Sequence, residues 1–389
     1  MLPWRLLVAL LLGTATAVIM LCTCVPIPFM LMVPPSIGGT ELAPHFLVAG
    51  LVVLALAAAP HAWRWARRIS LGLGGVTVVL ALVTLMRIPG AIADTEQAMR
   101  TAFGPAPAAT YGRDAPLAWA DLLRGIHVPP VTVEHGVVFN RSATEPLLAD
   151  LYRPPGPGPH PVVVVIHGGS WSSGDRTDFT TCSQYLAAHG SLVMAIDYRL
   201  APRHHFPDQL VDVREAMVWV RAHAAEYGGD AGRTVLLGRS AGSELALLTA
   251  YAHDADPGIR GVVAFYSPVD LTEGYIHPAK PDPLDSLAVF RAFIGGTPQE
   301  FPELYRAASP IEWATRPLPP TLLINGGRDN LVYIRFGRAL ADRLRAHGTH
   351  VALLDIPWAE HAFDIIPNGL GGQIALYHLE RFLATVNAP

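Results

Sequence analysis

The hydrophobic positions of this chain follow two patterns, and the first occupies residues 1–90. Three long apolar stretches with almost no charge cover residues 6–25, 42–59 and 69–88. A helix needs about 20 apolar residues to cross a bilayer, so the first and third stretches predict membrane-spanning helices, whereas the second is marginal. A cleaved signal peptide is the alternative for the first stretch, and a re-entrant or buried helix is the alternative for the second. Because further apolar stretches follow the first directly, we predict about three transmembrane helices.

The second pattern begins at residue 131, where short apolar runs alternate with longer segments that predict helices. The run at 161–166 is continuously apolar, as expected of a central strand that is buried on both faces. Such alternation indicates a mostly parallel sheet with helices on both sides, so residues 131–389 are predicted to form an α/β domain. Strands are predicted at 131–139, 147–152, 161–166, 192–196, 235–237, 261–265, 321–324 and 351–356. Helices are predicted at 179–188, 209–226, 243–252, 336–346 and 373–383.

Residues 91–130 lie between the two patterns and contain five prolines. They predict a linker with short helical segments around 95–103 and 117–123.

Charge predicts the orientation of the membrane region. Arg64, Arg67 and Arg68 lie between the second and third apolar stretches, whereas the loop at 34–44 carries only Glu41. Loops rich in arginine stay in the cytoplasm, so everything after about residue 90 is predicted to be extracytoplasmic. The arginine bias, with abundant alanine, glycine and proline, indicates a GC-rich bacterial genome. We therefore predict a multi-pass protein of a bacterial cytoplasmic membrane.

Composition excludes several kinds of chemistry. The formal net charge is −4 and no run of like charges supports nucleic-acid binding. Three cysteines cannot form a disulfide framework. Neither a His-Glu-x-x-His pattern nor paired cysteines indicate zinc, and no cofactor or metal is predicted.

A candidate nucleophile lies between a predicted strand and a predicted helix, in Gly238-Arg239-Ser240-Ala241-Gly242. A serine hydroxyl is a poor nucleophile until geometry and a neighbouring base activate it. A sharp strand-to-helix turn lifts the side chain above the sheet, and glycines two residues to either side leave room for that turn. A surface turn can contain the same string, so the prediction depends on partners elsewhere in the chain.

The first partner follows the strand at 161–166, in His167-Gly168-Gly169-Ser170-Trp171. Acyl transfer builds negative charge on a carbonyl oxygen, and fixed backbone N–H groups stabilise that charge. Glycines let the backbone approach a substrate closely. We predict an oxyanion hole made by Gly169, with Gly168 or Ser170 sharing the task, and by the N–H of Ala241. A glycine turn that merely leaves a strand is the alternative.

An acid and a base complete the predicted site. Asp329 follows the strand at 321–324, and His361 lies between the last strand and the last helix. The chain order Ser240, Asp329, His361 is one in which hydrolase triads occur, with the acid orienting the imidazole that acts as base. Three other aspartates are rivals for the acid, and the first is the strongest because it also ends a strand: Asp270, Asp355 and Asp364.

Together these motifs resemble the α/β-hydrolase superfamily, and within it the hormone-sensitive-lipase-like and the feruloyl or acetyl esterase branches. The segments 150–154, 197–202 and 360–363 are also similar to segments of that group, and the resemblance covers residues 131–386. It implies an α/β-hydrolase fold with a serine esterase site. It also implies a small cap at 272–312, for which a solvated linker is the alternative.

Two residues depart from the pattern of that group. Ser170 stands where the oxyanion loop usually has a third glycine, and Arg239 precedes the nucleophile where an acid is common. Neither change removes a triad residue, but both affect which acyl or alcohol groups would fit.

The resulting hypothesis is a membrane-anchored serine carboxylesterase that acts on a small-molecule ester, either lipophilic or derived from the cell envelope. An acyltransferase or a peptidase on the same triad remains open. So does a catalytically silent hydrolase fold that serves as a binding module, although an intact triad argues against silence.

Overall fold

The computed structural model describes residues 3–58, 63–107, 112–142 and 145–388. Ala59, the last residue of the second predicted apolar stretch, and residues 108–111 of the predicted linker lie outside the described residues. The first six helices are α1 (Trp4–Cys22), α2 (Val33–Glu41, preceded by a 3₁₀ turn at Met30–Met32), α3 (Ala43–Ala58), α4 (Arg64–Met86), α5 (Ile88–Phe103) and α6 (Trp119–Arg124).

Helices α1, α3 and α4 pack together as a bundle. Gly50 on α3 and Gly74 on α4 approach so closely that a Cβ on Gly74 would lie 3.1 Å from the carbonyl oxygen of Gly50. The hydroxyl groups of Thr16 on α1 and Thr77 on α4 meet at 3.2 Å. Small residues and interhelical hydroxyl contacts are how apolar helices associate in lipid, where the hydrophobic effect does not drive them together. The bundle therefore has the packing expected of membrane helices.

Two helical stretches of the described residues are long and apolar enough to cross a membrane, Trp4–Cys22 and Arg64–Phe103. Met30–Glu41 and Ala43–Ala58 make a third span only if they count as one broken span, because the chain bends by 83° between them. α3 alone has 16 residues, or about 24 Å of helix, which is less than the roughly 30 Å of a hydrocarbon core. The predicted count of three transmembrane helices is therefore not confirmed, because the second predicted helix is too short to cross alone.

Eight strands form one sheet in the order β1-β2-β4-β3-β5-β6-β7-β8. β1 and β2 run antiparallel to their neighbours, and β3 to β8 are parallel to one another. The strand order reverses beside β3, which has β4 on one side and β5 on the other, and the carboxyl ends of strands at such a point border the usual binding crevice. The strands are β1 (Thr132–Arg141), β2 (Pro146–Arg153), β3 (His160–Ile166), β4 (Leu192–Ile196), β5 (Gly229–Arg239), β6 (Ile259–Phe265), β7 (Thr321–Gly326) and β8 (Val351–Ile356).

Helices cover both faces of this sheet, which confirms the predicted α/β fold. Alternate residues of β3 divide the core: Val162, Val164 and Ile166 pack with α8, α9 and α14, whereas Val163 and Val165 pack on the face that carries α5, α7 and α15. The remaining helices are α7 (Thr180–Ala188), α8 (Asp208–His223), α9 (Ala241–Tyr251), α10 (Leu271–Ile276), α11 (Ser286–Ile294), α12 (Pro302–Ala307), α13 (Pro310–Trp313), α14 (Ile334–Ala346) and α15 (Leu370–Val386).

The predicted boundary at residue 90 falls inside α5. Ile88, Ala91 and Met99 of this helix are buried in the same hydrophobic cluster as Leu354 of β8 and Leu379 of α15. Part of the segment predicted as a linker is therefore a packed helix that joins the apolar helices α1 to α4 to the sheet.

Residues 271–313 contain four short helices, α10 to α13, between β6 and β7. From α11, the ring of Phe293 stacks on the indole of Trp171 at 4.1 Å between centroids, and Phe290 lies 6.1 Å from the same indole. Trp171 belongs to the loop after β3. The segment predicted as a cap is thus fixed to a loop at the carboxyl edge of the sheet.

Candidate active site

Ser240 lies at a sharp turn between β5 and α9. Its backbone has φ 50° and ψ −120°, a strained conformation that non-glycine residues adopt rarely. A Cβ on Gly238 would lie 2.3 Å from the carbonyl oxygen of Gly242, and a Cβ on Gly242 would lie 2.2 Å from that of His167. Both positions therefore require glycine, and the turn has the geometry predicted for a nucleophile elbow.

The structure brings Ser240, His361 and Asp329 together. Nε2 of His361 lies 3.1 Å from Oγ of Ser240, and Nδ1 of His361 lies 2.7 Å from Oδ2 of Asp329. The other oxygen of Asp329 accepts hydrogen bonds from the backbone N–H groups of Leu331 and Val332, each at 2.8 Å. The carboxylate is buried and fixed, so the imidazole has one orientation, with Nε2 facing the serine.

The three rival aspartates have other contacts. Asp270 caps α10 by accepting from the N–H of Glu273, and Asp355 pairs with Arg338 near the surface. Asp364 pairs with the buried Arg239. Of the four aspartates, it is Asp329 that bonds to the ring of His361.

The loop after β3 lies against the nucleophile. A Cβ on Gly168 would come within 3.3 Å of Cβ of Ser240, and a Cβ on Gly169, which has φ 103°, would lie 2.1 Å from the carbonyl oxygen of Ser173. Among the described residues, the N–H groups of Gly168, Gly169 and Ser170 have no hydrogen-bond acceptor. Ala241 opens α9, where the N–H groups of the first turn have no intrahelical partner. These N–H groups, in segments that adjoin Ser240, are the candidate donors of an oxyanion hole.

Electrostatics favour protonation of His361. Burial lowers the pKa of this imidazole, but the charge and hydrogen bond of Asp329, together with the charges of Glu360 and Asp364, outweigh burial, so the pKa lies above the usual 6.5. Beside it, burial and the charge of Asp329 raise the pKa of Glu360 to about 7. The Glu360 carboxylate accepts from the backbone N–H of Asn330 at 2.6 Å and from its side-chain amide at 2.8 Å. It therefore ties the loop of Asp329 to the loop of His361.

A buried ion pair lies beneath the site. Nε of Arg239 lies 2.6 Å from Oδ2 of Asp364, and the hydroxyl of Tyr266 donates to Oδ1 of Asp364 at 2.6 Å. The Tyr266 ring lies 4.4 Å from that of His361, and the guanidinium lies 4.2 Å from the ring of Phe179. Arg239, which departs from the esterase pattern described above, is therefore neutralised by Asp364, three positions after His361.

Several contacts that support the site could not be identified from the sequence. The hydroxyl of Tyr198 donates to the carbonyl oxygens of His167 and Gly168, and the indole of Trp171 donates to the buried carboxylate of Glu244. These contacts join residues that lie 30 to 73 positions apart, and neither partner has a local sequence signal for the other. Throughout the described part of the chain, no group of three or more His, Cys, Asp or Glu side chains could hold a metal ion.

A serine on a strand-to-helix elbow of a parallel sheet, with an acid and a histidine supplied after later strands, is the arrangement of the α/β-hydrolases. The chain belongs to the BD-FAE family of this class, because the family model matches residues 149–344, half of the 389 residues.

Curated relatives of this chain include esterases of Mycobacterium tuberculosis. Esterase LipC is 34% identical over 231 residues, which are 56% of this chain and 56% of LipC. The probable carboxylic ester hydrolase LipM is 31% identical over 256 residues, which are 61% of this chain and 58% of LipM. The chain thus spans less than two thirds of the length of these relatives.

Solved structures with the same fold are also esterases. A propionate-bound thermophilic esterase of Thermogutta terrifontis is 27% identical, with a TM-score of 0.56, and the match covers 67% of this chain and 97% of that one. A hyperthermophilic esterase of Pyrobaculum calidifontis is 27% identical, with a TM-score of 0.59, over 67% of this chain and 88% of the other. The domain thus shares its fold with solved carboxylic-ester hydrolases.

Proposed function

We propose that the chain is a membrane-anchored serine carboxylesterase whose catalytic residues are Ser240, His361 and Asp329. The observation that carries this proposal is the hydrogen-bond chain from Oγ of Ser240 through both ring nitrogens of His361 to Asp329, at 3.1 and 2.7 Å. Its substrate is a small-molecule ester. No step of the reaction needs a cofactor.

In the proposed reaction, Ser240 Oγ attacks the ester carbonyl carbon while His361 Nε2 takes the hydroxyl proton. The N–H groups of Gly169 and Ala241, with Gly168 or Ser170, donate to the oxyanion of the tetrahedral intermediate. His361 then protonates the departing alcohol, leaving an acyl-serine. A water molecule, deprotonated by His361, releases the acid and restores the serine. Asp329 stabilises the imidazolium at each stage.

The proposal also states on which side of the membrane the active site lies. Arg64, Arg67 and Arg68 lie at or near the start of α4, at one end of the bundle, whereas the chain leaves α4 at its other end and enters α5 and the sheet. Under the rule that arginine-rich loops stay inside, the arginine end is cytoplasmic and Ser240 is outside. An active site on that side, next to the bilayer, favours lipophilic or envelope-derived esters.

One labelling experiment tests both the chemistry and the location. We expect a membrane-impermeant fluorophosphonate to label Ser240 of the full-length chain in intact bacterial spheroplasts, because phosphonates react with activated serines. A Thermogutta terrifontis esterase of the same fold was solved phosphonylated by sarin. The measurement is the mass of the peptide that contains Ser240. Labelling that requires lysis would contradict the outward location, and a peptide left unlabelled even after lysis would contradict the nucleophile.

The rate of ester hydrolysis should fall at acid pH. His361 accepts a proton only when neutral, and the carboxylates of Asp329, Glu360 and Asp364 together raise its pKa above 6.5 despite burial. The profile of kcat/KM against pH should therefore rise with pH through a midpoint above 6.5. Since Glu360 titrates in the same range, Glu360→Gln is the control that leaves a limb set by the histidine. A midpoint below 6.5 in both proteins would oppose the assigned base.

A further inference from the structure

Glu41 is the only acidic residue among the first 93 positions of the chain. It ends α2, where the chain bends by 83° into α3, and its side chain is completely buried. A buried carboxylate is costly unless donors hold it. Oε2 of Glu41 accepts hydrogen bonds from the backbone N–H groups of Gly371 at 2.7 Å and Gly372 at 3.1 Å. Glu41 therefore joins the membrane region to the first turn of α15.

The start of α15 is shaped to receive this carboxylate. A Cβ on Gly369 would lie 2.4 Å from Oε2 of Glu41, and a Cβ on Gly371 would lie 2.8 Å from Oε1. Any side chain at either position would collide with the seated glutamate. The N–H groups at the start of a helix lack intrahelical partners, so they are available to donate to a side-chain oxygen. Two glycines and two free donors thus form a socket for Glu41.

The socket lies at the end of the loop that carries His361. This loop runs from β8 to α15, and its residue Ala362 has φ 59°, a left-handed conformation that persists only where the surroundings hold it. The surroundings include the membrane region: Ala362 and Ile366 pack against a buried cluster formed by Ile27, Val33 and Ile37. The loop is therefore held in its middle by apolar contacts and at its end by Glu41.

We infer that Glu41 is a positioning residue for the esterase reaction, acting through the loop that presents His361 to Ser240. The inference rests on the proposed function. Through Glu41, the membrane region helps to position His361 in addition to anchoring the chain.

The test compares Glu41→Leu, Glu41→Gln and wild type as full-length chains in detergent micelles. Leucine cannot accept from Gly371 and Gly372, so the loop loses its end contact, and we expect kcat on a short-chain ester to fall by about 10- to 100-fold, as for a reacting group displaced by a fraction of an ångström to 1 Å. KM should change by less than about twofold, because substrate contacts stay in place. Oε2 of Glu41 accepts both hydrogen bonds, and the amide oxygen of glutamine can replace it. Glu41→Gln should therefore retain most of the wild-type kcat.

Two further variants keep the test decisive. Glu96→Gln is the matched control: Glu96 lies on α5, pairs with Arg100 at 3.8 Å near the surface, and should leave kcat unchanged. If Glu41→Leu does not fold, Gly371→Ala obstructs the socket from the other side and should lower kcat in the same way. A wild type that hydrolyses no ester and takes up no fluorophosphonate would overturn the proposed function. In an active wild type, a normal kcat in the folded Glu41→Leu or Gly371→Ala chain would overturn this inference alone.

Discussion

Replacing Ser240 by alanine should abolish ester hydrolysis, with kcat falling by about four to six orders of magnitude. The hydroxyl is the only group in the proposed reaction that can form the acyl-enzyme, and it lies 3.1 Å from Nε2 of His361. The residual rate would come from the oxyanion donors and from substrate binding. The measurement is steady-state hydrolysis of p-nitrophenyl esters of increasing acyl length by the full-length protein.

A matched control for this variant is Ser142→Ala. Ser142 is half-buried just after β1, where its hydroxyl donates to the carbonyl oxygen of Glu145, and its loss should leave kcat unchanged. Thermal unfolding of both variants should match that of wild type. A Ser240→Ala protein that retains more than about one hundredth of the wild-type kcat would refute the assigned nucleophile, since no triad serine contributes so little.

The second large effect is on stability. Arg239→Leu should lower the free energy of unfolding by about 3–5 kcal/mol, because it leaves Asp364 buried without its counter-charge. Both side chains of the pair are almost fully buried, with 2% and 7% of their surfaces exposed. Urea unfolding followed by tryptophan fluorescence measures the loss. The ion pair of Arg345 with Asp342, exposed by 49% and 77%, provides the control, since Arg345→Leu should cost less than about 1 kcal/mol.

A double variant separates the contribution of charge to stability from the contribution of packing in the pair of Arg239 and Asp364. Arg239→Leu combined with Asp364→Asn removes both charges and keeps an oxygen that accepts from the hydroxyl of Tyr266. It should regain most of the stability lost in the single variant, because the cost lies mainly in the unpaired charge. Equal losses in the single and double variants would show that packing of the guanidinium against Phe179 and Phe265 dominates instead.

The fold of the catalytic domain was predictable because its central strands are buried on both faces. Such strands are unbroken apolar runs, and the runs at 161–166 and 192–196 correspond to β3 and β4 almost residue for residue. The positions of Ser240, Asp329 and His361 could be predicted for a related reason. In a parallel sheet, residues that follow the carboxyl ends of strands meet at one edge, so chain order alone brings them near one another.

The helix α2 could not be predicted in the same way. Its sequence contains Pro34, Pro35, Gly38 and Gly39, residues with the lowest helix propensities. It forms where Glu41 docks on α15 and where apolar residues of α2 pack against the loop of His361. These are tertiary contacts with residues more than 300 positions away. The pairing of Arg239 with Asp364 escapes prediction for the same reason, because neither residue has a local signal for its partner.

The separation between Glu41 and Gly371 is 330 positions, and it bears on how the protein matures. Chains leave the ribosome from the N-terminus, and domains generally fold as they emerge. The helices of the bundle are therefore synthesised long before α15 exists. The contact that joins them can close only when translation is nearly complete. The bundle therefore forms early and the contact that fixes the loop of His361 forms late, and a chain cut short before residue 371 could not make this contact.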